Sequence, residues 1–126
     1  RGGLGQFMDV GAAEGHEFYL QAMFDRLAHP ARGRHGGMAG APTLIAQDDG
    51  TAMRGKGKQF VAHGRVVQMG FPGGAGYGQP EKRSREAVRR DLAYGYITSE
   101  QAAEDYGLSE AEIADILSLA RSGADF

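Results

Sequence analysis

Two glycine-rich stretches have residue types and spacing that approach known chemistry. Gly50-Thr51-Ala52-Met53-Arg54-Gly55-Lys56 follows the spacing of a phosphate-binding loop as far as its lysine. Such a loop next needs a Ser or Thr hydroxyl for magnesium and a helix whose amino end faces the phosphates. Here Gly57 follows and then a β-like run, so the expectation is a hairpin with a basic rim. Phe71-Pro72-Gly73-Gly74-Ala75-Gly76-Tyr77-Gly78 is the densest glycine run. Consecutive amides in alternating backbone conformations can converge on a phosphate or carboxylate, which makes Gly73, Gly74, Gly76 and Gly78 anion-nest candidates. The run lacks the GxGxxG spacing and the strand, turn and helix context of a dinucleotide site. The favoured reading is a tight chain reversal in which glycine permits close backbone packing.

Other site chemistries find little support. His16, His29, His35 and His63 are far apart, with no HxxH or HxxxH spacing, so no metal site is expected. With 0 cysteines there is no disulfide scaffold, CxxC zinc site or thiol nucleophile. Nothing resembles a GxSxG nucleophile elbow, and no catalytic residue is assigned.

The elements that must position any site change character along the chain. Of 21 glycines, 18 lie between Gly2 and Gly78. Phe18, Leu20, Ala22 and Phe24 alternate as one face of a strand. Thr43-Leu44-Ile45-Ala46-Gln47, a turn at Asp48-Asp49-Gly50 and a return through Thr51 to Arg54 read as one hairpin. Gln59-Phe60-Val61-Ala62 and Val66-Val67-Gln68-Met69 around His63-Gly64 read as a second. Beyond Gly78 the apolar spacing becomes three and four. Ser84 can cap a helix reaching about Tyr94. Thr98 with Gln101 and Ser109 with Glu112 have capping-box spacing, and Gly107 suits the end of the helix between them. Ile113, Ile116, Leu117 and Ala120 share a face of the last helix. The expectation is an α+β protein: a glycine-rich β-hairpin region over residues 1–78 and a short helical C-terminal tail over 79–126.

Charge divides the chain similarly. Residues 1–83 hold ten Lys/Arg against seven Asp/Glu, and residues 84–126 hold four against nine, within an overall charge of −2. The tail has the outline of a helix-turn-helix, but Glu110, Glu112 and Asp115 on its second helix would repel phosphates, so no nucleic-acid partner is expected. Lys82-Arg83-Ser84-Arg85, with Arg89 and Arg90, reads as a solvated helix entry or a partner contact. At 126 residues the length suits one compact domain. The sequence has no membrane-length apolar run and no secretory leader pattern. A cytoplasmic location is expected. Arg1-Gly2-Gly3-Leu4-Gly5-Gln6 reads like the middle of a larger chain.

Four stretches, in order, together resemble the C-terminal end of the hydantoinase B/oxoprolinase family, also called the N-methylhydantoinase B subunits. They are Arg1-Gly2-Gly3-Leu4-Gly5-Gln6; His35-Gly36-Gly37-Met38-Ala39-Gly40-Ala41-Pro42; Pro72-Gly73-Gly74-Ala75-Gly76-Tyr77-Gly78-Gln79-Pro80; and a tail with Arg90-Asp91, Gly95-Tyr96-Ile97, Ala102-Ala103 and Asp105-Tyr106-Gly107. Ala75 stands where the family usually has glycine, and Gln79 and Arg65 where it often has aspartate. The resemblance implies part of a longer subunit that works with a hydantoinase A-type partner and with the rest of its own subunit on cyclic amides such as 5-oxoproline or hydantoins. It further implies ATP and a divalent metal for the full complex. The resemblance implies that neither cofactor is held by this segment, since in the family the nucleotide site is associated with the partner subunit and the Asp/His metal motifs lie upstream of the region matched. The segment's expected role is structural, closing the β-rich end and contacting the partner. Two alternatives are a stand-alone module that binds a small anion at the glycine nest and, less favoured, a helix-turn-helix DNA-binding module.

Overall fold

The computed structural model describes residues 1–123 and 126. Five strands come first: β1 (Gln6–Gly11), β2 (Phe18–Met23), β3 (Leu44–Gln47), β4 (Lys56–Val61) and β5 (Val66–Phe71). A 3-10 turn at Pro80–Lys82 leads to α1 (Arg85–Ala93), α2 (Ser99–Glu104) and α3 (Glu110–Arg121). The architecture is α+β, with all strand pairs antiparallel.

The strands form two sheets, one ordered β1-β5-β3 and the other β2-β4. They face each other across a core in which Ile45, Met53, Val61, Val67 and Met69 are buried, with Val10, Phe18, Leu20, Phe24 and Phe71 packed around them. Alternation in β2 sets this face: Phe18, Leu20 and Ala22 turn inward while Tyr19, Gln21 and Met23 are exposed.

The second expected hairpin does not form. His63-Gly64 does turn the chain, with Gly64 at φ 74° and the Arg65 amide donating to the Ala62 carbonyl at 3.1 Å. However, β4 pairs with β2 while β5 pairs with β1 and β3. Val61 and Val67 enter the core from opposite sheets, so the turn is an arch between layers. In the first hairpin the turn forms, with the Gly50 amide donating to Gln47. The returning arm pairs briefly with one edge of β3, through the Ala46–Ala52 bridge and amides of Gln47 and Met53 that donate to Thr51 and Ile45, while β5 holds the other edge. Strand β1 is an addition to the sequence reading. It is an edge strand with Phe7 84% exposed, so its apolar residues do not sort onto one face.

The tail folds as its caps direct. Ser84 accepts from the Ala87 amide, and Thr98/Gln101 and Ser109/Glu112 form complete capping boxes. Gly107 takes φ 65° after α2. The three helices enclose their own core of Val88, Leu92, Ile97, Ala102, Leu108, Ile113 and Ile116, with Leu117 packed against it.

Candidate functional site

The glycine run at residues 73–78 passes between two other glycine-rich segments and does not reverse the chain in place. On one side it continues the β1–β5 pairing in register, where the Gly74 amide donates to the Gly3 carbonyl at 3.1 Å. On the other, Gly76 donates to Met38 and accepts from Arg34, and Gly78 donates back to Arg34. The backbones approach so closely that side chains are excluded. A Cβ on Gly73 would lie 1.9 Å from the Gly3 carbonyl oxygen, and one on Gly37 would lie 2.2 Å from that of Gly76. Within the 33–40 segment, a Cβ on Gly33 would lie 1.8 Å from the Gly37 carbonyl oxygen. This three-segment seam explains the glycine density by packing. Of the anion-nest candidates, Gly74, Gly76 and Gly78 donate their amides to carbonyls of the chain itself, while Gly73 lies against Gly3.

Electrostatics join the seam to the helical tail. Asp91 on α1 is 3% exposed. Its carboxylate accepts from Arg1 Nε at 3.0 Å and Nη2 at 3.3 Å, and from Arg83 Nη2. The Arg1 guanidinium also lies over the Tyr96 ring, 4.9 Å from its centroid. A buried carboxylate needs such partners, because an unpaired charge in a low-dielectric setting is strongly disfavoured. Sequence reasoning names Asp91 only as part of the Arg90-Asp91 stretch and assigns it no ion pair. The available signal is its position between Val88 and Leu92 on the apolar face of α1, where an acid demands compensation.

Part of the basic stretch is used internally, while Lys82 and Arg85 at the helix entry and Arg90 farther along α1 stay exposed. Arg83 binds Asp91, Arg85 donates to the carbonyls of Tyr106 and Gly107, and Arg89 lies 3.6 Å from Asp115.

Seam and tail enclose a cleft of about 700 Å³. Residues 2–5 and 73–78 contribute to its lining, as do Arg1, Lys82 and Arg83, with Asp105 and Tyr106 from the tail. His35, at φ 51°, packs at a tilt of 55° against Tyr77 with ring centroids 4.9 Å apart, and both line the cleft.

The remaining candidates are dispersed. His63 accepts from the Gly15 amide at 2.9 Å, and His16 and His29 are exposed. Among the described residues no group of three or more His, Asp or Glu could hold a metal. The Gly50 to Lys56 stretch leads into β4, with Lys56 Nζ 2.6 Å from the Asp25 carboxylate, so no helix amino end is offered to a phosphate there. No helix among the described residues is long and apolar enough to cross a membrane.

A family model described as hydantoinase B/oxoprolinase matches residues 1–80, which hold both sheets and the seam. The tail stretches beginning at Arg90-Asp91 lie outside that match. The B subunit of a putative D-/L-hydantoinase from Pseudomonas sp. (strain NS671) is 38% identical over 53 residues, covering 42% of this chain and 9% of that protein. The chain thus matches only a small part of the relative's length. No solved structure matches.

Proposed function

Because the chain belongs to the hydantoinase B/oxoprolinase family, we propose that it forms the C-terminal part of a B-type subunit in a cytoplasmic complex that hydrolyses cyclic amides with ATP. The substrates are 5-oxoproline or hydantoins, and the partners are a hydantoinase A-type subunit and the remainder of this subunit. The relative is named as one subunit of a hydantoinase, which supports an assembly of more than one chain.

The role of this region is to complete structure and make contacts. The observation that carries this reading is the Arg1–Asp91–Arg83 cluster, which ties the tail to the family-matched seam. Exposed apolar side chains remain on both sheets. Phe7 and Leu44 flank Gly70 on one, and Tyr19 and Phe60 pair edge-to-face on the other, with Met23 exposed farther along β2. Apolar surface of that kind marks a contact. Among the described residues no cluster fits a divalent metal and the Gly50 to Lys56 stretch offers no helix amino end to a phosphate, so ATP and the metal would be held elsewhere in the complex, and no chemical step is assigned to this chain.

Truncation of the B-type subunit after Lys82, followed by co-purification with the A-type subunit and an ATP-dependent amide hydrolysis assay, tests the role. Loss of assembly is expected. Unchanged assembly together with unchanged activity would refute it.

A further inference from the structure

The cleft between seam and tail presents donors without partners. Among the described residues, the amides of Gly2, Gly3, Leu4 and Gly5 donate no hydrogen bond within the chain, and all four residues line the cleft. Arg1 and Arg83 share the carboxylate of Asp91. Lys82 has no ion-pair partner among the described residues. Asp105 is the one carboxylate on the described lining. Three cations therefore face two carboxylates, leaving one positive charge in excess.

We infer that this cleft binds a small carboxylate of single negative charge attached to an apolar body. The Lys82 ammonium and those amides of residues 2–5 that alternate toward the cleft along this extended segment donate to the carboxylate, and charge-assisted hydrogen bonds of this kind are among the stronger ones. The surplus of one charge matches a monoanion better than a polyphosphate, which would meet Asp105 with uncompensated charge. Leu4, Met38 and Tyr77 line the same cleft at 58%, 53% and 76% exposure, providing apolar surface for the rest of the ligand. The cleft volume lies within the roughly 300–1,000 Å³ range of small-molecule sites. These groups are distinct from the surfaces assigned to contact with other chains.

Amide chemical shifts of the isotopically labelled protein, titrated with phenylacetate, its neutral counterpart phenylacetamide, and ATP, test the inference. Phenylacetate is expected to give saturable shifts at residues 2–5 and 82–83. Phenylacetamide should bind about tenfold or more weakly, for want of the charge, and ATP should also bind more weakly. Lys82 is exposed and outside both cores, so Lys82→Glu should preserve the spectrum elsewhere while weakening phenylacetate by about tenfold. Equal binding of the amide, tighter binding of ATP, no saturable shifts at these residues, or an unaltered affinity in Lys82→Glu would each overturn the inference.

Discussion

The β region and the helical tail solve the same problem by opposite means. The tail encloses a core of branched side chains centred on the fully buried Ile116, and its helix starts are fixed by side chains three residues away. Beside the sheet core, the β region has a seam where side chains are absent and backbones touch through Gly2, Gly33, Gly37 and Gly73. A side-chain core can relax around a missing methyl group. A backbone seam has no spare volume to receive an added one. Mutational tolerance should therefore differ between the regions in sign as well as size: the tail suffers from deletion of atoms, the seam from their addition.

The largest effect should come from the group that joins the regions. Asp91→Asn removes the charge that holds Arg1 and Arg83, and breaking a buried pair by neutralising one partner is expected to reduce stability by about 3 kcal/mol. Denaturant unfolding would measure this, and limited proteolysis should cut the loosened tail first. A fall below about 1 kcal/mol would mean that the helical core docks the tail without the ion pairs.

Within the seam, Gly37→Ala should destabilise by about 2 kcal/mol, since the new methyl must displace the Gly76 backbone. Gly3→Ala is the control, because a Cβ there meets nothing within 4 Å, and its effect should stay within about 0.5 kcal/mol. Equal losses at the two positions would show that the close backbone contact at Gly37 is not what makes glycine necessary there, since the chain-entropy effect of alanine alone would stabilise.

Ser109→Ala in the tail is expected to lower stability by about 1 kcal/mol through loss of the α3 cap. The contrast with Gly37 is instructive, because the same alanine side chain removes a contact in one region and creates a clash in the other.

How much of each region is legible in the sequence follows from the range of its contacts. Ser84, Thr98 with Gln101, and Ser109 with Glu112 mark the helix starts correctly because each cap interaction spans three residues. The strand face of Phe18, Leu20 and Ala22 is likewise readable from alternation alone. The pairing of β5 is not, because Val66 to Phe71 finds its neighbours in β1 and β3 and not across the nearby turn at His63-Gly64. The seam brings Gly3 to Gly74 and Arg34 to Gly76, contacts that no local rule anticipates. A glycine run looks the same in sequence whether it turns or packs. At the cleft, the ordered stretches that carry the resemblance include Arg1 and Arg90-Asp91, but the pairing of Asp91 with Arg1, 90 residues apart, left no trace beyond an acid on an apolar helix face.

The smallest effect concerns acid, and it separates the regions by titration. The Glu112 carboxylate is held below its ordinary range first by the Ser109 backbone amide and then by the Ser109 hydroxyl. A group whose folded pKa is depressed contributes stability that is present above its unfolded pKa and lost as pH falls through the folded value. The α3 cap should therefore weaken on acidification through and below the ordinary carboxylate range. The backbone bonds of Gly74 and Gly76 contain no titrating group and should persist. Amide shifts followed through an acid titration should move at Ser109 and Glu112 before those of Gly74 and Gly76, and Glu112→Gln should abolish the Ser109 transition. Simultaneous movement at both places would mean that the tail and the seam unfold as one unit, joined tightly enough by Asp91 that neither mode of packing fails alone.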